Sequence, residues 1–360
     1  MLLIEGLNSK KNVIDVGHAG TAMRFLTAYY SMKIGSSVEL TGSKRMQERP
    51  IGILVNALRE LGADIRYLDE EGFPPLQING MDLKGGRIAV DAGISSQFIS
   101  ALMLIAPAIS NGLSIDLTGK ITSRSYIELT KGVLNKIGVD CRIEKNLISI
   151  KSFNLDEKLS LKVESDWSSA SYWYSIVAMS DRLSVTLRHF ESSSLQGDAI
   201  VISIFERLGV STKFNTKDSS ITISKFSEDL PDIIQLDLIE TPDLAQTIAV
   251  TCFGLGVECI LLGLKTLNIK ETNRLTALKK ELEKLGARVA VNSNSIRVST
   301  TGNYNRDVVI HTYDDHRMAL SFASLAIRNP IVIEEPDVVS KSYPSFWKDL
   351  EKMGFSLTFE

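Results

Sequence analysis

One supersecondary unit, repeated five times, constrains this chain more than any other feature of its 360 residues. Each copy reads as a short β-branched strand, a polar Gly/Ser/Asp turn and an apolar helix. A second strand, a polar loop, a second helix and two short strands follow. The second helices end in Leu61-Gly62, Ile137-Gly138, Leu208-Gly209, Leu285-Gly286 and Met353-Gly354, and those glycines stand 76, 71, 77 and 68 residues apart. Glycine at that place suits the left-handed turn that closes a helix. The pattern predicts opening strands at 12–16, 87–90, 160–163, 234–236 and 308–310. It predicts first helices at 21–32, 96–105, 168–178, 242–253 and 316–327, and second helices at 50–61, 126–137, 198–208, 272–285 and 344–353. Apolar residues recur at three- and four-residue spacing in them, as at Ile53, Leu54, Ala57, Leu58 and Leu61. Strand–helix alternation is common to α/β chains, but five copies in one order and of one length argue against coincidence.

The length suggests two domains, at about 150 residues each as a prior. The cut is expected between copies two and three, giving 1–164 with two copies and 165–360 with three, although no linker composition marks it. Formal net charge is −3 and the isoelectric point is about 5.9, so no global basic field recruits nucleic acid, and any anion must be gripped by local clusters. Cys141, Cys252 and Cys259 form no CxxC pair; they read as buried thiols of a reducing compartment rather than a disulfide framework or a zinc site. Residues 1–11 are too short for a signal peptide. The longest apolar stretch, 248–264, contains Glu258 and three glycines and falls short of the roughly 20 residues of a membrane span. The expectation is a soluble cytoplasmic protein.

The turns entering the helices carry cations. Arg24 lies three residues past Thr21, read as the cap of the first helix, and Arg49 directly precedes Pro50, a favoured first helical residue. Arg274 follows Thr272 by two, Arg317 follows Asp315 by two, and Lys341 lies three before Pro344. A cation at a helix N-terminus opposes the macrodipole by about 0.3–1 kcal/mol at an exposed site, so helix propensity does not account for five of them. A bound anion does, because dipole, free backbone N–H groups and cation all favour it. Any one alone reads more simply as a solvated surface cation; recurrence at equivalent turns is what points to an anionic substrate. The third copy departs, with Asp166 and no cation at its first turn.

Other turns offer hydroxyls and acids. Ser95-Ser96-Gln97 and Ser123-Arg124-Ser125-Tyr126 open the two helices of the second copy; they can cradle a phosphate, though paired serines more often only cap. Asp243, in a first turn, is a candidate base or hydroxyl ligand as well as an ordinary helix-favouring acid. Glu271, between Lys270 and Arg274, is a candidate proton donor or acceptor. Asp315 and His316 make a polar knot beside Arg317, and His316 and His18 also read as cap neighbours. There is no GxxxxGK[ST], HExxH, complete GxGxxG or Ser-His-Asp order, which withdraws support from nucleotide, zinc-protease and serine-hydrolase chemistry.

Five motifs, in order along essentially the whole chain, make it resemble the EPSP synthase (3-phosphoshikimate 1-carboxyvinyltransferase) family. They are Gly17-His18-Ala19-Gly20-Thr21-Ala22-Met23-Arg24, Arg45-Met46-Gln47-Glu48-Arg49-Pro50-Ile51, Ser95-Ser96-Gln97-Phe98, Lys270-Glu271-Thr272-Asn273-Arg274 and Asp315-His316-Arg317-Met318. The resemblance implies a two-domain inside-out α/β barrel of βαβαββ units, with helices buried inside two halves that close over a cleft. It implies enolpyruvyl transfer from phosphoenolpyruvate to the 5-hydroxyl of shikimate 3-phosphate through a tetrahedral ketal, releasing phosphate, in chorismate and aromatic amino acid biosynthesis. No metal or organic cofactor, no nucleic acid, no membrane and a monomeric state are implied with it. Carried over by position, Ser95, Ser96, Gln97, Ser123 and Tyr126 hold shikimate 3-phosphate, with Asp243 and Lys270 at its hydroxyl side. Gly20, Arg49, Gln97, Arg274, Arg317 and Lys341 hold phosphoenolpyruvate, supported by Thr21, Arg24, Asp315 and His316. Asp243 takes the hydroxyl proton and Glu271 protonates the methylene carbon.

Differences from the family pattern are His18 for the common Asn, Phe25 for Pro and Thr266 for Asn. The resemblance also implies a sixth unit, with a Lys-Ser…Arg motif, ahead of the first strand. Its absence leads to the expectation of an N-terminally truncated form with little or no activity that retains anion binding. The sister transferase acting on UDP-N-acetylglucosamine is disfavoured because Ser43-Lys44-Arg45-Met46-Gln47-Glu48 lacks the Cys expected there. An RNA-end-processing protein of similar repeat architecture is disfavoured by the acidic isoelectric point.

Overall fold

The computed structural model describes residues 12–154, 159–302 and 304–359. The chain divides between Leu161 and Lys162 into two compact units, each with its own hydrophobic core. The sequence reading sets the cut after residue 164.

The first unit holds two copies. The first runs β1 Val13–Asp15, α1 Gly20–Met32, β2 Ser37–Thr41, α2 Lys44–Gln47, α3 Gly52–Glu60, β3 Asp64–Tyr67 and β4 Leu76–Asn79. The second runs β5 Gly86–Asp91, α4 Ser96–Ile105, β6 Leu113–Thr118, α5 Arg124–Lys136, β7 Cys141–Glu144 and β8 Leu147–Ile150. Their sheets have one order, β1-β2-β4-β3 and β5-β6-β8-β7, parallel in the first pair and antiparallel in the others. Alternation sets the strand faces: Ile88 and Val90 of β5 point inward between exposed neighbours. The helices differ by role. α4 buries every residue but Gln97 and Leu104, as an interior helix must, whereas α3 buries only the stripe Leu54, Val55, Ala57 and Leu58.

The second unit holds the other three. The third copy supplies α6 Trp167–Met179, β9 Ser184–Arg188, a 3-10 turn at Gly197–Ile200, α7 Val201–Glu206, β10 Val210–Asn215 and β11 Ser220–Lys225. The fourth supplies β12 Ile233–Asp237, α8 Ala245–Leu255, β13 Glu258–Leu262, α9 Arg274–Lys284, β14 Ala287–Val291 and β15 Ile296–Thr300. The fifth supplies β16 Val309–Ile310, α10 His316–Ala323, β17 Val332–Ile333 and α11 Phe346–Lys352. The order β12-β13-β15-β14 repeats that of the first unit, beside a sheet β10-β11-β9 and a parallel pair β16-β17.

The three first helices of this unit are joined through buried hydroxyls in two tiers. In one, Ser171 of α6 meets Thr247 of α8 at 3.1 Å, and Thr247 meets Ser321 of α10 at 3.3 Å. One turn on, Thr251 donates to Ser175 at 2.6 Å and Ser175 to Ser324 at 2.8 Å. Each buried hydroxyl is thereby satisfied by a neighbour.

The glycines that end the second helices all have the expected left-handed backbone, with φ of 98° at Gly62, 91° at Gly138, 79° at Gly209, 103° at Gly286 and 95° at Gly354. Cys141, Cys252 and Cys259 are buried free thiols. Several boundaries move. The predicted strand at 160–163 does not form: these residues lie exposed, Val163 at 84%, with no apolar layer to fold against. What survives is the bond from Ser165 N to His189 O at 2.8 Å, equivalent to Val16 N to Thr41 O, Ala92 N to Thr118 O and Leu238 N to Leu262 O. Residues 242–244 and 197–200 are 3-10 turns, so α8 and α7 start later than predicted. No helix among the described residues is long and apolar enough to cross a membrane.

Candidate active site

In the first unit, the starts of α1 and α4 and the turn that carries Arg49 are stitched together. Ala19, not Thr21, caps α1, and Thr21 instead accepts from Gln97 Nε2 of α4 at 2.9 Å. Arg24 is buried, donating to Gly20 O at 2.9 Å with its guanidinium 5.7 Å from the Phe98 ring. It therefore folds back over its own helix start rather than standing in solvent. Pro50 lies outside α3, whose cap position is Ile51, so Arg49 belongs to the preceding turn. Its buried side chain reaches Gly20 nonetheless. A Cβ on Gly20 would lie 2.5 Å from Arg24 Nη1 and 2.8 Å from Arg49 Nη1, so glycine makes room for two guanidiniums.

Ser95 caps α4 in the ordinary way, accepting from Gln97 N at 3.3 Å. Ser96 is buried beside it. Ser123 precedes α5 in the left-handed region, at φ 53°, without a side-chain cap bond, and Tyr126 sits half-buried in the first turn. Thr122 ties this loop to the one before Ser95, both its N and its Oγ1 donating to Ala92 O. The serines of the two turns are thus presented from adjoining loops.

The second unit gathers charge instead. Arg274, 2% exposed at its side chain, is the hub: Nε donates to Asp315 Oδ2 at 2.6 Å, Nη1 to Asp243 Oδ1 at 2.7 Å and Nη2 to Glu271 Oε2 at 2.9 Å. Asn273, rather than Thr272, caps α9. Lys270 Nζ lies 3.4 Å from Asp243, Arg317 Nη2 lies 3.5 Å from its other oxygen, and Arg317 Nη1 donates to its carbonyl at 3.1 Å. Lys341 donates to Glu271 Oε1. Lys341 does not start a helix: it ends the 3-10 turn Pro336–Lys341, and α11 begins at Phe346. Its role here comes from the length of its side chain.

These contacts set the electrostatics. Burial alone would raise Asp243, but the Lys270 ammonium and the Arg317 and Arg274 guanidiniums overcome it and hold the carboxyl far below the usual range. Burial lowers His316 to about 3, against the pull of Asp315 and with the help of Arg317, Lys341 and Arg274. It is a neutral, buried imidazole. Asp315 caps α10, accepting from Arg317 N at 2.9 Å. Thr266 Oγ1 is buried without a hydrogen-bond partner among the described residues.

Three features escape the sequence reading. Ser168 and Tyr172 of α6 flank Arg317, at 3.4 and 3.5 Å, and this answers the anomaly of the third copy. The α6 start is occupied by Asp166, which accepts from Ser168 N and Ser169 N, while the nearby cation arrives from α10. Glu281, fully buried one face down α9 from Arg274, accepts from His311 N at 3.1 Å and from Tyr313 Oη at 2.6 Å. It pins the turn in which Tyr313 and Asp314 both have φ of 55°. The available signal was the seven-residue spacing of Arg274 and Glu281, which puts them on one helical face.

Comparison with known proteins bears on the whole chain. The family EPSP synthase (3-phosphoshikimate 1-carboxyvinyltransferase) matches residues 3–350. The 3-phosphoshikimate 1-carboxyvinyltransferase of Bacteroides fragilis strain YCH46 is 45% identical over 368 residues, covering 99% of this chain and 87% of the relative. That of Haemophilus influenzae strain Rd is 36% identical over 362 residues, covering 97% and 82%. Two structures of EPSP synthase from Acinetobacter baumannii share the fold, with TM-scores of 0.70 and 0.73 at 22% and 21% identity, covering 97% and 98% of this chain and 80% and 81% of theirs. The chain belongs to the EPSP synthase family.

Proposed function

We propose that this chain transfers the enolpyruvyl group of phosphoenolpyruvate to the 5-hydroxyl of shikimate 3-phosphate, releasing phosphate. The observation that carries the reading is the Arg274 hub: four cations and three carboxylates, gathered from the turns that lead into α8, α9 and α10 with Lys341 reaching in from the 3-10 turn Pro336–Lys341, which is the equipment for gripping polyanions while moving protons.

Ser95, Ser96, Gln97, Ser123 and Tyr126 serve the shikimate 3-phosphate, with Asp243 and Lys270 at its hydroxyl. Gly20, Arg49, Gln97, Arg274, Arg317 and Lys341 serve phosphoenolpyruvate. Asp243 receives the 5-hydroxyl proton as the oxygen bonds to C2 of phosphoenolpyruvate, and Glu271 delivers a proton to C3, giving the tetrahedral ketal. Phosphate then leaves, taking up the proton held on Asp243, while the C3 proton returns to Glu271, which restores the enol ether and both carboxyl groups. A carboxylate gripped by three cations is a poor base, and substrate corrects this: anions that draw Lys270 and Arg317 toward themselves weaken the field on Asp243 and raise its basicity when it is needed. The Lys341 ammonium donates a hydrogen bond to Glu271 Oε1 and holds that carboxyl in place. The buried, neutral His316 keeps a further positive charge out of the cluster.

The test is phosphate release with both substrates, each substrate alone and neither. Release that requires both supports the reading; none with both present overturns it.

A further inference from the structure

The turn Gln196-Gly197-Asp198 is built against the start of α6. Gln196 Oε1 accepts from Trp167 N at 3.0 Å, and its Nε2 donates to Ser165 O at 2.8 Å. Ser168 Oγ donates to Asp198 Oδ2. Asp198 is 5% exposed, and its Oδ1 has no hydrogen-bond partner among the described residues. A half-satisfied buried carboxylate is a liability to folding, so packing does not explain its presence.

Hydrogen-bond direction does. A serine hydroxyl has one proton to give. Ser168 gives it to Asp198, so its oxygen faces Arg317 with lone pairs only, and Arg317 Nη2 donates to it at 3.4 Å. The guanidinium is held on its other sides by Asp243 and the Tyr172 hydroxyl. We infer that Asp198 is a positioning residue for enolpyruvyl transfer, fixing Ser168 as an acceptor and so fixing the pose in which Arg317 meets phosphoenolpyruvate. The inference rests on assigning Arg317 to that substrate. Burial pushes Asp198 up to about 6, and the Ser168 hydrogen bond and the Arg317 charge pull it back, as expected of a carboxylate that both groups sense. An amide at 198 donates to Ser168 as readily as it accepts, which releases the hydroxyl proton toward the guanidinium.

Steady-state phosphate release, with each substrate varied in turn, tests this in Asp198→Asn, Ser168→Ala, the double variant and Arg317→Ala. Each of the first two single variants is expected to raise the KM for phosphoenolpyruvate about tenfold, with that for shikimate 3-phosphate within about twofold. The double variant should be no worse than the poorer single one, because both remove the same constraint. The melting temperature of Asp198→Asn should not fall. An unchanged phosphoenolpyruvate KM, an equal rise in both KM values, or losses that multiply in the double variant overturns the inference. Should Asp198→Asn not fold, Asp198→Glu, which keeps a carboxylate but shifts the acceptor away from Ser168 Oγ, is read the same way, and an unchanged phosphoenolpyruvate KM in it overturns the inference. If Arg317→Ala leaves the phosphoenolpyruvate KM unchanged, the assignment of Arg317 fails. If it raises that KM while Asp198→Asn does not, only the role of Asp198 fails.

Discussion

Two helices of the second unit begin on an aspartate, and the two aspartates do different work. Asp166, ahead of α6, turns both oxygens to its own helix: Oδ1 accepts from Ser168 N at 3.1 Å, and Oδ2 from Ser169 N at 3.1 Å and Ser169 Oγ at 2.7 Å. Asp315, ahead of α10, gives one oxygen to Arg317 N at 2.9 Å and both to Arg274 of α9, at 2.6 and 3.3 Å. The first is exposed and the second fully buried. One is a closed cap and the other a junction between helices. An acid at a helix start is therefore no sign of function until its lone pairs are followed to a second element.

The largest expected effect falls on the junction. Asp315→Ala leaves Arg274 buried short of a partner and should lower stability by about 3–5 kcal/mol, whereas Asp166→Ala loses a cap worth about 1 kcal/mol. Denaturant titration measures both, and equal losses would dissolve the distinction. Next, Arg274→Lys keeps the charge but not the fork that reaches three carboxylates. It should reduce kcat/KM for phosphate release at least about 100-fold; activity near wild type would mean the hub needs charge alone.

The pH dependence of stability separates neighbours of the two helix starts. His316, beside the junction, refuses a proton that the unfolded chain binds between pH 6.5 and about 3, so stability is lost as pH falls through that window. Asp198, beside the closed cap, keeps a proton up to about 6 that the unfolded chain releases near 3.8, so stability is lost as pH rises across that range. The slopes, each at most about 1.4 kcal/mol per pH unit, oppose one another in the overlap. Asp198→Asn should steepen the acid loss and His316→Gln should reverse it, in urea titrations at about pH 4, 5 and 6. Slopes identical to wild type would remove both assignments. The smallest effect is Asp166→Asn, expected within about 0.5 kcal/mol because asparagine still offers the helix one acceptor oxygen; a larger loss would mean that the second oxygen carries weight of its own.

Much of the architecture was legible in the chain because repetition multiplies weak signals. Five glycines after five apolar residues located the ends of the second helices, and backbone conformation at each agrees. Starts were harder to place. Pro50, Thr272 and Pro344 looked like first residues, yet α3, α9 and α11 begin two residues later, since a local preference for proline or threonine does not say where hydrogen bonding begins. The strand at 160–163 carried a strand's composition but lacked a layer to bury against. Among the site residues, the cations stood out because they violate helix electrostatics. Asp198 did not, because an acid near a helix start violates nothing, and its meaning lies in Ser168, thirty residues away.

The hydroxyl tiers at the heart of the second unit imply that its copies are not spare parts. In the first unit, Thr27 and Ser31 of α1 turn their protons back onto Met23 O and Thr27 O. In the second, Ser171, Thr247 and Ser321 read one another across helices. A chimera that transplanted α1 in place of α6 would match in outline and length, yet it would strip Thr247 of its α6 partner and leave it Ser321 alone. The shared topology hides a private key cut into each axis.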